Sequence, residues 1–238
     1  GPPFYHKLIA PFLIPFLFAM AIGPKLKWIR SDLKNKIYLI SLLIISILIS
    51  FFIVKNFNTN VLINTILISS ALYLFFITLR DFFNKKYKNF AQNTAHFGFS
   101  LLILSILFNN LFSSEIITNL KVGETYDNSK TKIVFESINQ KNEKNYKSIV
   151  ANFNIINSKG INNNLSPELR IYNQPNITTS EADIKTTLMK DKFIVINLVQ
   201  NQDYFNVRYQ VKPFMLWIWL SVIMISFGGL VSFLQKRI

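Results

Sequence analysis

Few side chains in this sequence could carry chemistry, and one stands apart. His96 lies in the apolar stretch 91–112, AQNTAHFGFSLLILSILFNNLF, and is the only histidine inside a run long enough to cross a membrane. An ionisable residue in such a helix is costly, normally faces protein rather than lipid, and marks a functional site by default. Its imidazole could ligate a metal or haem iron, relay protons, or donate a hydrogen bond to another helix. With a rise of about 1.5 Å per residue, His96 sits roughly 5–10 Å below the nearer interface. Ala95 and Gly98 beside it, and Ser100 one turn on, would let a flat cofactor or a second helix come close. His6 has no polar residue spaced to help it and reads as an interfacial residue. Glu168 and Arg170, two apart in PELRIY, share one face of a strand and read as a solvated or cross-strand ion pair.

The elements that must hold these residues are set by run length. Half of the 238 residues are hydrophobic and 23 are Phe, a composition of an integral membrane protein. Uncharged apolar runs at 8–22, 37–54, 61–79, 91–112 and 213–234 each approach the ~20 residues that cross a ~30 Å hydrocarbon core. They predict a transmembrane bundle of about five helices, of which the first, kinked by Pro11 and Pro15, is the shortest and has a re-entrant or interfacial segment as its alternative reading. No charged residue falls within these runs. Ahead of them, Gly1 to Lys7 is predicted as an extended or turn segment.

Residues 113–212 change character, with period-two alternation that predicts strands at 131–138, 148–156, 168–172, 192–199 and 204–211. Turn clusters at 157–160 and 201–203 separate them. About 100 residues with five or more antiparallel strands make one β-rich domain, inserted before the last helix. The expected organisation is therefore a four-helix region over 1–112, a β-rich extracytoplasmic domain over 113–212 and a final helix over 213–238.

The net charge of +14 is a topology signal rather than a mark of nucleic-acid binding. Lys25, Lys27, Arg30, Lys34 and Lys36 precede the second run; Arg80, Lys85, Lys86 and Lys88 follow the third; Lys236 and Arg237 end the chain. The positive-inside rule puts these alternate loops in the cytoplasm, with anionic lipid as their partner. The first end and residues 113–212 are then outside, the latter nearly neutral. The loop from Arg80 to Asn89 mixes these charges with Phe82, Phe83 and Tyr87 and reads as an amphipathic surface segment. The absence of cysteine excludes disulfides, and any thiol chemistry would use a partner's thiols. No phosphate loop, zinc spacing or nucleophile triad is present. No signal peptide is visible, and the opening Gly1-Pro2-Pro3 points to a fragment or processed product.

Taken in order, Gly1-Pro2-Pro3-Phe4, Ala95-His96-Phe97-Gly98, Pro167-Glu168-Leu169-Arg170-Ile171-Tyr172, Thr178-Thr179 before Glu181, Lys212-Pro213-Phe214, Trp217-Ile218-Trp219-Leu220 and Gly228-Gly229 resemble the C-terminal part of the CcmF family of cytochrome c-type biogenesis proteins. The resemblance implies part of a cytochrome c haem lyase, which attaches haem through thioethers to an apocytochrome CxxCH motif outside the membrane. It implies haem b as a resident cofactor, with His96 at the second of two transmembrane axial ligands to its iron. The implied partners are the upstream half of the same protein with its tryptophan-rich haem-handling segment, the haem chaperone CcmE, a CcmH-type apocytochrome chaperone and apocytochrome c. The family's first ligand and tryptophan-rich segment lie upstream of the region resembled, so the chain implies one ligand and no catalysis alone. Two other classes stay open from the residues themselves: a transporter subunit with His96 as a proton relay, and a membrane anchor presenting residues 113–212 as a docking module. Haem absorbance separates the first from these two, and capture by an apocytochrome peptide separates the last.

Overall fold

A computed structural model describes residues 2–25, 33–57, 60–83, 90–158, 160–199 and 203–235. Two compact units divide them: 1–111 with 217–238, and 112–216.

The first unit is helical. α1 (Pro2–Ile22), α2 (Leu33–Val54), α3 (Val61–Phe83), α4 (Phe90–Phe112) and α5 (Met215–Gln235) follow the apolar runs. The last four are long and apolar enough to cross a membrane, while α1 contributes the shorter apolar helix Pro11–Ile22. The expected extended lead at Gly1 to Lys7 is instead helical from Pro2 on. Proline is tolerated in a first turn because the amide hydrogens there have no intrahelical acceptor. His6 therefore lies within α1.

Ile40, Ile44, Leu48 and Phe52 of α2, four residues apart, are all exposed. Such a stripe would cost stability in water and is ordinary against lipid. The core collects on α3, where Leu72, Tyr73, Leu74 and Ile77 are buried with Leu17 and Ala21 of α1, Val54 of α2 and Leu104 of α4. Several hydroxyls in these helices are satisfied locally, Ser46 and Ser50 donating to the carbonyls four residues back at 2.8 and 2.7 Å, whereas Thr65 Oγ1 of α3 is buried without a partner among the described residues. Unpaired groups in hydrocarbon would cost several kcal/mol, so this local bonding is what admits serine there.

One boundary differs in a way that matters. The apolar run ends at Leu79, but α3 continues to Phe83, so Arg80 and Asp81 belong to a membrane-spanning helix and not to a loop. Arg80 lies over the Tyr38 ring of α2 at 4.1 Å, and Phe82 stacks on Phe97 of α4 at 5.1 Å. Phe82 is thus packing rather than surface-lying. Lys27, Arg30, Lys85, Lys86, Lys88, Lys236 and Arg237, which carry most of the charge asymmetry, lie outside the described residues, as does part of each predicted turn at 157–160 and 201–203.

The second unit is an antiparallel β-sandwich. Its ten strands are β1 (Ser114–Leu120), β2 (Thr125–Asp127), β3 (Thr131–Asn142), β4 (Tyr146–Asn157), β5 (Asn162–Leu165), β6 (Glu168–Asn173), β7 (Asn176–Glu181), β8 (Asp183–Thr186), β9 (Lys190–Leu198) and β10 (Phe205–Pro213). One sheet runs β1-β10-β9-β8; the other runs β2-β3-β4-β6-β7, with β5 also on β4. Inward residues of both sheets, Ile133 and Phe135 of β3, Phe153 and Ile155 of β4, Ile194 and Ile196 of β9, and Val207 and Tyr209 of β10, form one core. Phe135 and Phe153 are cross-strand partners whose rings stack at 4.4 Å.

Tyr209 is an exception inside this core. Its hydroxyl is buried without a hydrogen-bond partner among the described residues, and desolvation pushes its pKa up to about 12. Deleting the hydroxyl removes a desolvation penalty and leaves the ring in place. We expect Tyr209→Phe to be neutral or to stabilise the sandwich by about 1 kcal/mol, measured as the shift in its chemical unfolding midpoint.

At the start of the sandwich, Glu115 of β1 accepts hydrogen bonds from Gln210 and Arg208 of β10, and these hold its carboxyl below its ordinary value. The folded-state pKa is thus below the unfolded one. Its stabilisation is full above the unfolded value and disappears as pH falls through the folded value. Glu115→Gln should therefore lose less stability than the wild type between neutral pH and about pH 3, read from unfolding midpoints at the two pH values.

Candidate functional site in the fourth helix

α4 presents three faces, and they separate the roles of its residues. Ala91, Ala95 and Gly98, at positions i, i+4 and i+7, meet α5. A Cβ on Gly228 would lie 2.7 Å from Ala91 O and 2.8 Å from Ala95 N, and one on Gly98 would lie 3.0 Å from Ile225 N and Met224 Cβ. The small residues next to His96 in sequence therefore serve a close helix pair. They are not beside the imidazole, because residues one and two apart on a helix do not share a face.

The second face meets α3. Asn93 Nδ2 donates to Asp81 O at 3.1 Å, Phe97 packs on Phe82 and on Phe75, and the hydroxyls of Thr78 and Ser100 share a buried hydrogen bond of 2.7 Å. These contacts fix both the rotation and the height of α4.

His96 projects from the remaining face, which by three- and four-residue spacing also carries Gln92, Phe99 and Ile103. Phe99 meets Phe16 of α1 edge-on at 6.1 Å. The His96 side chain is half-buried, and no hydrogen bond is made to its imidazole among the described residues, although Asn93, Thr94 and Ser100 of the same helix each make one. Asp81 is the acidic group whose charge reaches it. Asp81 escapes sequence reading because it lies beyond the apolar run, in the last turn of α3; its signal is the Arg80-Asp81 pair ahead of two phenylalanines.

This arrangement offers one imidazole on a fixed helix, with neither ring nitrogen engaged by a hydrogen bond among the described residues. That donor set suits one axial bond to a haem iron, and the partly open, largely apolar face around it suits a flat apolar group. Among the described residues no cluster of three or more His, Cys, Asp or Glu could hold a metal ion, so a polydentate metal centre is not formed from them.

The strand motif at 167–172 does not join this site. Glu168 and Arg170 pair within β6 at 3.2 Å; Ser148 donates to Glu168 at 3.1 Å, and the Arg170 guanidinium lies 5.2 Å from the Tyr146 ring centre. Each partner is about a third exposed, so the pair, tied to β4 through Ser148 and Tyr146, is screened by solvent and is a weak staple between β6 and β4.

The fold and this face define a class: a multi-pass membrane protein whose last spanning helix follows an antiparallel β-sandwich. Residues 111–213 match the family model described as the CcmF C-terminal beta-sandwich. Over its full length the chain is similar to the cytochrome c-type biogenesis protein CcmF of Escherichia coli (strain K12), at 24% identity, and to that of Pseudomonas fluorescens, at 23%. It spans 38% of the length of each. A solved structure titled cytochrome c heme lyase CcmF superposes on 97% of the chain, and on 40% of that protein, with a TM-score of 0.74 at 18% identity. The chain is thus similar to CcmF along its whole length, with the family-model match confined to the sandwich and its edges.

Proposed function

We propose that the chain works in cytochrome c maturation as the part of a haem lyase that corresponds to the C-terminal portion of CcmF, with His96 as one axial ligand to a haem b. The observation that carries this is the His96 imidazole on its own face of α4, in a chain similar to CcmF from end to end. Haem b, when bound, supplies one-electron chemistry suited to keeping a second, transferred haem reduced. The rest is done by the chain's own residues. The Thr78–Ser100 and Asn93–Asp81 bonds on one side, and the Gly228 contact on the other, hold α4 in one orientation and so place the ring. Bilayer and packed helices keep bulk water from the ring, and the second ligand comes from outside this chain.

The charge asymmetry supports an orientation with the first end and residues 113–212 outside and the last end in the cytoplasm. In that orientation His96, six residues from the start of α4, is about 9 Å deep on the cytoplasmic side. The sandwich would then face the compartment of the apocytochrome, the haem chaperone CcmE and a CcmH-type chaperone. Depleting the chain from its own cells should abolish covalent haem attachment, seen as loss of haem-stained c-type cytochromes while apocytochrome persists. Normal c-type cytochromes in depleted cells would refute this role.

The extended α3 gives the proton-relay alternative one supporting observation. Arg80 and Asp81 put charges in a second spanning helix, and the Asp81 charge reaches His96. The haem reading predicts absorbance, whereas the relay does not.

A further inference from the structure

The hairpin between β8 and β9 has features that sandwich stability does not call for. Its turn is closed tightly: Thr187 N donates to Lys190 O at 3.0 Å, Thr187 Oγ1 donates to the same carbonyl at 2.6 Å, and Lys190 N donates to Thr187 Oγ1 at 3.2 Å. The two residues at its apex, Leu188 and Met189, are 61% and 57% exposed. A rigid turn that presents two large apolar side chains outward is a binding feature, because a solvated turn would carry polar residues.

The position of the apex follows from a single bond. Phe214 N donates to Met189 O at 2.9 Å, and the next residue, Met215, starts α5. The apex is thus pinned at the level where the chain enters a spanning helix. Trp217 and Trp219, in the first two turns of α5, are the residue type that settles at the membrane–water boundary.

Around the apex is a basic collar. Lys185 and Lys192 are cross-strand partners, and Lys190 lies two residues from Lys192 on the same face of the sheet. Lys192 is 95% buried, yet neither an ion pair nor a hydrogen bond to it occurs among the described residues. Its pKa is drawn below the ordinary value, first by burial and then by Lys190 and Lys185. Asp191, the nearest acid in sequence, is on the opposite face, paired across with Lys212. Three like charges side by side are destabilising unless an anion joins them.

We propose that this hairpin seats in the bilayer, with Leu188 and Met189 in the headgroup–acyl boundary and the exposed Lys185 and Lys190 on anionic lipid phosphates. Apolar apex, basic collar and the level of α5 together fit a lipid surface; a protein partner would fit the apex without requiring that level.

The absence of cysteine makes the test clean. The full chain carrying Met189→Cys, labelled with an environment-sensitive fluorophore, is reconstituted in vesicles of phosphatidylcholine and phosphatidylglycerol. The control is Leu198→Cys, nine residues away along β9, about 30 Å distant and exposed. The expected result is a blue-shifted emission from the Met189 label, lost to a spin label carried near the headgroup end of the acyl chain, with neither effect at Leu198. In Lys185→Gln/Lys190→Gln, the increase in quenching with phosphatidylglycerol content should disappear. A Met189 label as water-exposed as the control overturns the proposal. So does a label shielded from water but untouched by the lipid quencher, which would assign the apex to a protein partner.

Discussion

His96→Ala is expected to remove the b-type haem from the assembled complex and, with it, covalent haem attachment, while the amount of inserted protein stays the same. The structural side of this follows from what the imidazole does not do. It takes part in no hydrogen bond among the described residues, it is half-buried, and the contacts that position α4 belong to Asn93, Phe97, Ser100, Ala91, Ala95 and Gly98. Alanine is also the better helix former. The cost to the bundle should be less than about 1 kcal/mol, within the range of substitutions that break no named interaction. The functional side rests on the proposed bond from His96 to the haem iron: the charge that reaches His96 among the described residues is that of Asp81, and a carboxylate is a poor substitute for imidazole on haem iron. Membrane levels by immunoblot, the unfolding midpoint and haem-stained cytochrome c measured together separate ligand loss from unfolding.

Gly228→Leu should have the larger effect on structure. Even a Cβ at this position would be 2.7 Å from Ala91 O, 2.8 Å from Ala95 N and 2.9 Å from Ala95 Cβ. Two of these are backbone atoms of a helix, which cannot swing aside as a flexible side chain can. α5 must then move off α4, losing the close approach of Met224 and Ile225 to Gly98 as well. Overpacking of this kind costs about 3 kcal/mol or more. Gly229→Leu is the internal control, because a Cβ there meets nothing within 4 Å. The unfolding midpoint of the full chain in detergent should fall for the first variant and stay near wild type for the second. Since α4 carries His96, the first variant should also weaken haem retention, and the second should not.

The contrast between these two glycines shows what can be read from residues and what cannot. Gly228-Gly229 marks a close helix contact, but only the rotation of α5 decides which glycine makes it. Likewise Ala95 and Gly98 signal close approach, and the helix period assigns that approach to α5 rather than to a cofactor beside His96. Spanning helices are legible because a long uncharged run has few other stable homes. The end of α3 is not, since a helix can carry Arg80 and Asp81 through its interfacial turn by packing Arg80 on Tyr38 and Phe82 on Phe97.

In the sandwich, β3, β4, β6, β9 and β10 show in the alternation because they supply the core. β2, β7 and β8 are polar and supply no fully buried core residue, as in DIKT, while the short β5, NNNL, adds only Leu165 to the core and gives too little pattern to read. β1 is masked by the apolar run that precedes it. Lys192 and Tyr209 look like ordinary strand residues, and their burial follows only from the inward phase of β9 and β10.

The central claim is that His96 binds the iron of a haem b. It is tested most directly by a dithionite-reduced minus oxidised visible spectrum of the chain co-purified with the upstream half of the lyase, as wild type and as His96→Ala. A b-type α-band present in the wild type and missing from the variant is the predicted result. A normal b-type band in His96→Ala, or no haem in either sample, would contradict it.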